Sequence, residues 1–473
     1  MKNVNLVYGV KDKPGFWKTI VFALQQVLAI LAATIVVPVI INGNTADLMA
    51  DGKMEFVSNM SQSAALLGAG VGTIVYLLFT KFRSPVFLGS SFAFLGSMTA
   101  AFAGAASAQA GFTGLLIGAI LAGLVYVIIA IIVKFAGVNW IDKVMPAAVI
   151  GPTVAVIGLS LSGNAVGDLT KGSVATTNPW IALVCGLVTL ATVIICSVYG
   201  KKMLKIIPFI IGILAGYAVA SIFTVIGILT KTPSLEVINF GLFKSMEWVP
   251  SFTFVEAIKG VKDITPAFIG TVAVAYVPVA FVVFAEHLAD HKNISSIIGT
   301  DLTKDPGLHR TLLGDGIGSM AGAFFGGCPN TTYGESVGCV AISGNASVIT
   351  ILTAAIICIA ASFVAPFTTL LASIPSCVMG GVCFALYGFI AVSGLKMIQK
   401  VDLSENRNLF TVSVILIAGV GGLVLNIGAV TLTAVACALI LGILANLLTS
   451  KAKKECDCDC KEECDEAAVT EEK

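Results

Sequence analysis

Apolar runs of bilayer-spanning length recur from one end of the chain to the other, at about 16–41, 59–80, 112–135, 145–163, 179–199, 204–229, 266–290, 308–327, 346–373, 375–395, 407–424 and 428–449. About 20 residues of helix cross the hydrocarbon core, so these twelve runs predict twelve membrane helices. Two further stretches, about 85–101 and 328–343, are apolar enough to be buried but are broken by Gly, Ser, Thr, Asn and Pro. Counting them gives fourteen segments.

The positions of Lys and Arg support that count, because short cytoplasmic loops carry the excess of positive charge. With both termini cytoplasmic, the inside loops hold Lys81 and Arg83; Lys134 and Lys143; Lys201, Lys202 and Lys205; Lys292, Lys304 and Arg310; Lys396, Lys400 and Arg407; and Lys451, Lys453 and Lys454. Most short outside loops have little or no positive charge. The long loop at about 230–263 departs from the pattern, and its Lys residues are mixed with Glu and Asp. Dropping either broken segment inverts every later loop, so both are expected to cross or enter the membrane.

Composition agrees with an all-α polytopic membrane protein: 57% of the 473 residues are hydrophobic and only 12% charged, with a mean hydropathy of +0.97. A net charge of +1 gives no global field for nucleic acid. The polar start through Lys13 and the long first run predict an anchor rather than a cleaved leader. The expected organisation is a cytoplasmic N-terminus (1–14), a first set of seven segments (15–230), an extracytoplasmic loop (231–263), a second set (264–450) and a cytoplasmic tail (451–473). The expected location is the cell (inner) membrane.

The two sets resemble each other. MPAAVIGPTVAVIGLSLSG from Met145 and IPSCVMGGVCFALYGFIAVSG from Ile374 align Pro146 with Pro375, Val149 with Val378 and Gly151 with Gly380, and each ends in Ser-Gly. Each is the fifth segment of its set. The broken segments, SPVFLGSSFAF from Ser84 and CPNTTYGES from Cys328, are both third. Seven is odd, so the second set must enter from the opposite side, which makes an inverted repeat of seven plus seven. Broken segments at matching places of inverted halves point to a transporter's binding site, since non-helical backbone in a bilayer must line a cavity or meet a ligand. Ordinary Gly-rich packing is the alternative. Against it stands Glu335, a carboxylate with no Lys or Arg between Arg310 and Lys396.

A second acidic group sits in FAEHLADHKN, Phe284–Asn293. On a helix Glu286 and Asp290 share one face, and His287 and His291 form a second pair about 100° round. Two carboxylates that close repel, so one of them is expected to hold a proton near neutral pH. Counted from Pro266, Glu286 falls at the cytoplasmic interface; counted from Tyr276 to Ile298, it falls near mid-membrane. Both frames remain open at this point.

EHLADH, the string DPGLHRTLLGDGIGSMAGAFFGGCPNTTYGES and LGSSFAF in the first half resemble the nucleobase and ascorbate transporter family, over nearly the whole chain from GFWKTIVFALQQVLAILAATIVVPVI onward. The resemblance implies fourteen segments in two inverted sevens, with short extended strands in segments 3 and 10. It divides them into a core domain (segments one to four and eight to eleven) and a gate domain (the rest). It implies a proton-coupled nucleobase importer, uracil foremost, working by movement of core against gate, commonly as a homodimer and without a cofactor. Glu286 and Glu335 would accept from the ring N–H groups, the backbone N–H groups of Phe92 and Gly334 would serve the carbonyls, and the Phe92 ring would lie near the base. Ala33, Tyr333 and Ser336 would border the site, and Asp290, His291 and Glu286 would handle the proton.

Three positions depart from that pattern. Asp290 stands where the uracil-carrying branch has His, with His291 one step on. The stretch after Glu335 reads Ser336, Val337, Gly338, with Ser343 and Gly344, where the family signature reads Glu-Asn-x-Gly and ends in Thr. Gln26 stands where that branch has a His on the first segment.

The remaining features have plainer readings. His309 beside Arg310 reads as a structural residue at a helix start. The tail KKECDCDCKEECDEAAVTEEK places Cys456, Cys458, Cys460 and Cys464 among acids; this could hold a soft metal but lacks a paired Cys-x-x-Cys, and it reads as a solvated, disordered tail. The other eight cysteines lie in apolar spans as small hydrophobes. The rivals are a xanthine, urate or other purine carrier, an anion exchanger of similar architecture, and a membrane-embedded metal enzyme. The anion exchanger is opposed by Glu at the site. The enzyme would need a further acid or His on a facing segment besides Glu335.

Overall fold

The computed structural model describes residues 6–449 except 138, 202, 428 and 429, and over them the protein is mostly helical. The first half runs α1 Phe16–Ala50, α2 Gln62–Phe79, strand β1 Leu88–Ser90, α3 Leu95–Ala103, α4 Ala108–Ala136, α5 Asn139–Val144, α6 Ala147–Ser160, α7 Ser162–Asp168, α8 Pro179–Tyr199, α9 Met203–Ile206 and α10 Pro208–Thr230. The second runs α11 Thr253–Gly260, α12 Pro266–Ile298, α13 Leu308–Gly326, β2 Asn330–Thr332, α14 Gly334–Ser343, α15 Val348–Ser362, α16 Ala365–Ala372, α17 Ser376–Ile398, α18 Asn406–Val420, β3 Leu425–Ile427, β4 Val430–Leu432 and α19 Ala434–Thr449. Among the described residues eight helical spans are long and apolar enough to cross a membrane, with α6 and α7 taken together as one, or nine if α15 and α16 form one bent span.

Local sequence sets the ends of these helices. Ser107, Asn178 and Thr265 cap α4, α8 and α12 with side-chain oxygens, and Pro179 and Pro266 follow where a missing N–H costs nothing. Gly327 and Gly344 close α13 and α14 in the left-handed region.

Two runs are not the continuous helices their hydropathy predicts, whereas the broken 85–101 stretch is strand, a short 3-10 turn at Phe92–Phe94 and helix, in keeping with the expected extended strand. The 346–373 run breaks between α15 and α16 with an 84° bend. In the 428–449 run the helix starts only at Ala434, after β4. Hydropathy measures burial, and burial does not require helix.

The helices pack as two bodies. In one, α2 lies on α13 and α15, α4 on α12 and α13, and α1 on α2 and α15. In the other, α6 lies on α17 and α18, α8 on α10 and α17, and α18 on α19. The approach of α2 to α13 rests on bare backbone: a Cβ on Gly68 would lie 2.4 Å from the Gly322 carbonyl oxygen, and one on Gly72 2.7 Å from that of Gly318.

Within the first body β1 and β2 pair antiparallel, Leu88 opposite Thr332, Gly89 opposite Thr331 and Ser90 opposite Asn330. Side chains take up the outer N–H groups of β1: the Leu88 N–H donates to Thr73 Oγ1 (2.9 Å) and the Phe87 N–H just before it to Ser336 Oγ (3.1 Å), while the Asn330 side-chain amide ties β2 to α2 by donating to the Gly68 carbonyl (2.9 Å). The N-terminal stretch is more than a tail. Tyr8 bridges in parallel to Asn345, and the Ala346 and Val348 N–H groups donate to the carbonyls of Tyr8 and Val10, strapping the chain start to the α14–α15 turn.

Candidate functional site

A cavity of about 440 Å³ lies between the two bodies. Phe92, Glu286, Asp290, Thr331, Tyr333, Gly334 and Glu335 line it from the first body, and Val154, Phe209, Leu386, Phe389 and Ser393 from the second. Its remaining wall, with Ser197, Lys205 and Met397, comes from the ends of α8 and α17 and the short α9.

Helix α12 carries two of the acids. Its 33 residues span about 50 Å, well beyond the hydrocarbon core, and Glu286 lies about 30 Å along it. Glu286 shares the cavity with strand residue Thr331, so it sits at the depth of the ribbon rather than at the helix end. Asp290, one turn on, accepts from Thr332 Oγ1 at 2.8 Å. Glu335 is in the first turn of α14, whose start at Gly334 lies directly after β2. Both Phe92 and Gly334 open helical turns, where backbone N–H groups have no partner within the helix. The wall therefore offers carboxylate acceptors and backbone donors close together.

The histidines turn the other way. The rings of His287 and His291 stack at 3.9 Å, fully buried toward α13 and α2. His287 bonds Asp315 through Nδ1 (2.7 Å) and Thr311 through Nε2 (3.0 Å). His291 bonds the His287 carbonyl through Nδ1 (2.8 Å) and the Tyr76 hydroxyl through Nε2 (2.7 Å). Thus Asp290 reaches the cavity, while His291 belongs to a polar cluster behind it.

Other expected residues fall as follows. Tyr333 is on the wall and its hydroxyl donates to the Ser90 carbonyl (2.8 Å), bracing the ribbon. Ser336 is buried at the strand edge, and its carbonyl accepts from Gln26 Nε2 (3.4 Å). Ala33 is buried, and the α1 residue on the cavity wall is Ala29, one turn earlier. The Phe92 ring meets Tyr387 of the second body edge-on at 6.0 Å. His309 lies in the first turn of α13. Cys456, Cys458, Cys460 and Cys464 are outside the described residues.

Asp315 supplies the further acid on a facing segment that the metal-enzyme alternative requires, and it goes uncounted among the sequence candidates: it is a buried carboxylate on α13 facing His287. The rule that singled out Glu335, a charge within an apolar run, applies to Asp315 as well. Among the described residues no group of three or more His, Cys, Asp or Glu is arranged to hold a metal ion.

Residues 17–428 match the family model Xan_ur_permease, described as a permease family. The chain is 37% identical over 462 residues to the uracil permease of Bacillus subtilis (strain 168), covering 96% of this chain and 97% of that one. It is 38% identical to the uracil permease of Bacillus caldolyticus (93% and 94% covered) and 36% to that of Escherichia coli (strain K12) (93% of each). Among solved structures it resembles murine Solute Carrier 26 family member A9, an anion transporter in the inward-facing state, with TM-score 0.62 and 14% identity over 93% of this chain and 69% of that one. It also resembles the transmembrane domain of the cyanobacterial bicarbonate transporter BicA, with TM-score 0.54 and 16% identity over 93% and 99%. At such identity these two likenesses speak for the fold alone.

Proposed function

The chain belongs to the permease family whose model spans residues 17–428, and on that premise we propose that it imports a nucleobase, uracil foremost, together with protons. It is a multi-pass membrane carrier and not an enzyme. The observation that carries the substrate reading is the cavity wall itself: Glu286, Asp290 and Glu335 beside the helix starts at Phe92 and Gly334. Uracil offers ring N–H donors and carbonyl acceptors in one plane. Glu286 and Glu335 take the N–H groups, and backbone N–H groups take the carbonyls. Asp290, hydrogen-bonded by Thr332, is the neighbour that exchanges the proton. The relatives named uracil permeases support this choice of base over a purine.

The architecture in this reading is fourteen segments in two inverted sevens, with β1–α3 and β2–α14 as the matching third segments. The body carrying the strands is the core and the body built on α6, α8, α10 and α17–α19 is the gate. The Lys- and Arg-rich loops face the cytoplasm. Lys205 and Met397, on the cavity wall, lie at that cytoplasmic end, so the described state is inward-facing, and transport proceeds as core moves against gate.

The test is uptake of labelled uracil into proteoliposomes with and without an inward proton gradient, with unlabelled xanthine as competitor. Gradient-driven uptake that xanthine leaves intact is the expected result. Uptake suppressed by xanthine moves the substrate to a purine, and uptake indifferent to the gradient removes the proton.

A further inference from the structure

We propose that the Thr331 hydroxyl is a substrate contact that selects for a carbonyl oxygen on the base, an inference that rests on the nucleobase reading above. Strand β2 alternates, and its two flanking side chains are already committed: Asn330 donates to the Gly68 carbonyl and Thr332 to Asp290. Thr331 points to the other face, onto the cavity wall. It is only 2% exposed, and its Oγ1 has no hydrogen-bond partner among the described residues.

The residue opposite explains why it is unengaged. Thr331 pairs with Gly89, which brings no side chain and has no room for one: a Cβ there would lie 2.3 Å from the Tyr333 ring. No cross-strand neighbour is available to the hydroxyl. Buried hydroxyls are nearly always satisfied, so a covered one without a partner, on a residue that lines a cavity, is a donor that a small side-chain rotation brings to a ligand.

The chemistry of the wall says which ligand atom it meets. Glu286, Asp290 and Glu335, when ionised, only accept, and a pyrimidinedione presents carbonyl oxygens that need donors. Thr331 supplies a side-chain donor at the depth of Glu286 and Glu335. Ser197, also without a partner, lies on the inner end of α8 and is less buried.

Binding of uracil, 2-thiouracil and 4-thiouracil to the full chain in nanodiscs tests this, because a thiocarbonyl sulfur accepts hydrogen bonds weakly. Thr331→Val keeps the shape and removes the hydroxyl. It should weaken uracil about fivefold while leaving the affinity of one of the two thio-analogues unchanged, and Thr331→Ser should keep uracil within about twofold of wild type. Unchanged uracil binding by Thr331→Val, or an equal loss for all three bases, overturns the assignment and leaves the carrier reading intact. Failure of the wild-type chain to bind any of the three overturns the pyrimidine reading and the Thr331 contact with it.

Discussion

Glu286 and Asp290 stand one turn apart on α12 and both reach the cavity, yet their surroundings differ, and so should their mutants. Glu286 and Glu335 both line the cavity, and in the proposed reading they accept ligand N–H groups. A charged hydrogen bond is worth about 1.5–3 kcal/mol, so Glu286→Gln and Glu335→Gln should each lower uracil affinity at least about tenfold, read by binding to the purified protein. Wild-type affinity in both would sink the site. Asp290 is tied to Thr332, which makes it a proton handler in this reading. Asp290→Asn should flatten the pH dependence of uptake while changing affinity by less than either Glu mutant. An unaltered pH profile would move the proton to Glu286 or to the buried cluster. In that cluster Asp315 holds His287 from α13 with both groups out of reach of water. Asp315→Ala leaves a buried imidazole without its partner and should cost about 2 kcal/mol, measured as a lowered denaturation midpoint in detergent. A midpoint equal to wild type would mean the cluster is held by Tyr76 and Thr311 alone.

The ribbon of β1 and β2 is the element that brings the two acid groups together, and its packing is unusually intolerant of added atoms. Gly89→Ala drives a methyl into the Tyr333 ring and displaces the residue that braces the strand to Ser90. Loss of uracil binding with the chain still monodisperse is the expected outcome; retained binding would mean that Tyr333 moves freely. Much of this element was legible in the sequence. Polar breaks marked the two apolar stretches that hold the strands, the strands themselves following from the family resemblance, and four-residue spacing put Glu286 with Asp290 and His287 with His291. Other parts were not legible, for physical reasons. The pairing of Thr331 with Gly89 depends on register between segments about 240 residues apart, which no local pattern carries. The bend between α15 and α16 leaves hydropathy unchanged, because both halves remain apolar. Asp315 could have been found by the rule used for Glu335. Ala33 and Ala29 are both buried alanines one turn apart on α1, and only the helix's rotation in the packed body decides which meets the cavity.

At the scale of the molecule the two bodies meet differently at their two ends. The cavity wall reaches the end where α8 and α17 finish, at Ser197, Lys205 and Met397. At the opposite end, side chains of α1 tie the two bodies together. Asn44 accepts from Asn164 of α7 at 2.9 Å and donates to Thr99 of α3 at 3.1 Å, and both Asp47 carboxylate oxygens accept from Lys171 at 3.0 Å. These contacts must part if the cavity is to open on that side. None is strong alone: the Lys171 and Asp47 side chains are 46% and 65% exposed, which limits the pair to about 0–1 kcal/mol. Together with the Asn44–Asn164 bond they amount to about 1–2 kcal/mol, enough to move a two-state equilibrium about tenfold. The double variant Asp47→Ala, Asn164→Ala should therefore shift the population toward the outward-open state. Hydrogen exchange followed by mass spectrometry reads this without any substrate. Amides around 162–171 should exchange about tenfold faster, while amides near Lys205 and Met397 exchange more slowly as that end closes. Faster exchange at both ends would mean simple loosening, and no change would mean that the closed end is held by apolar packing of α1 against α10 and α17.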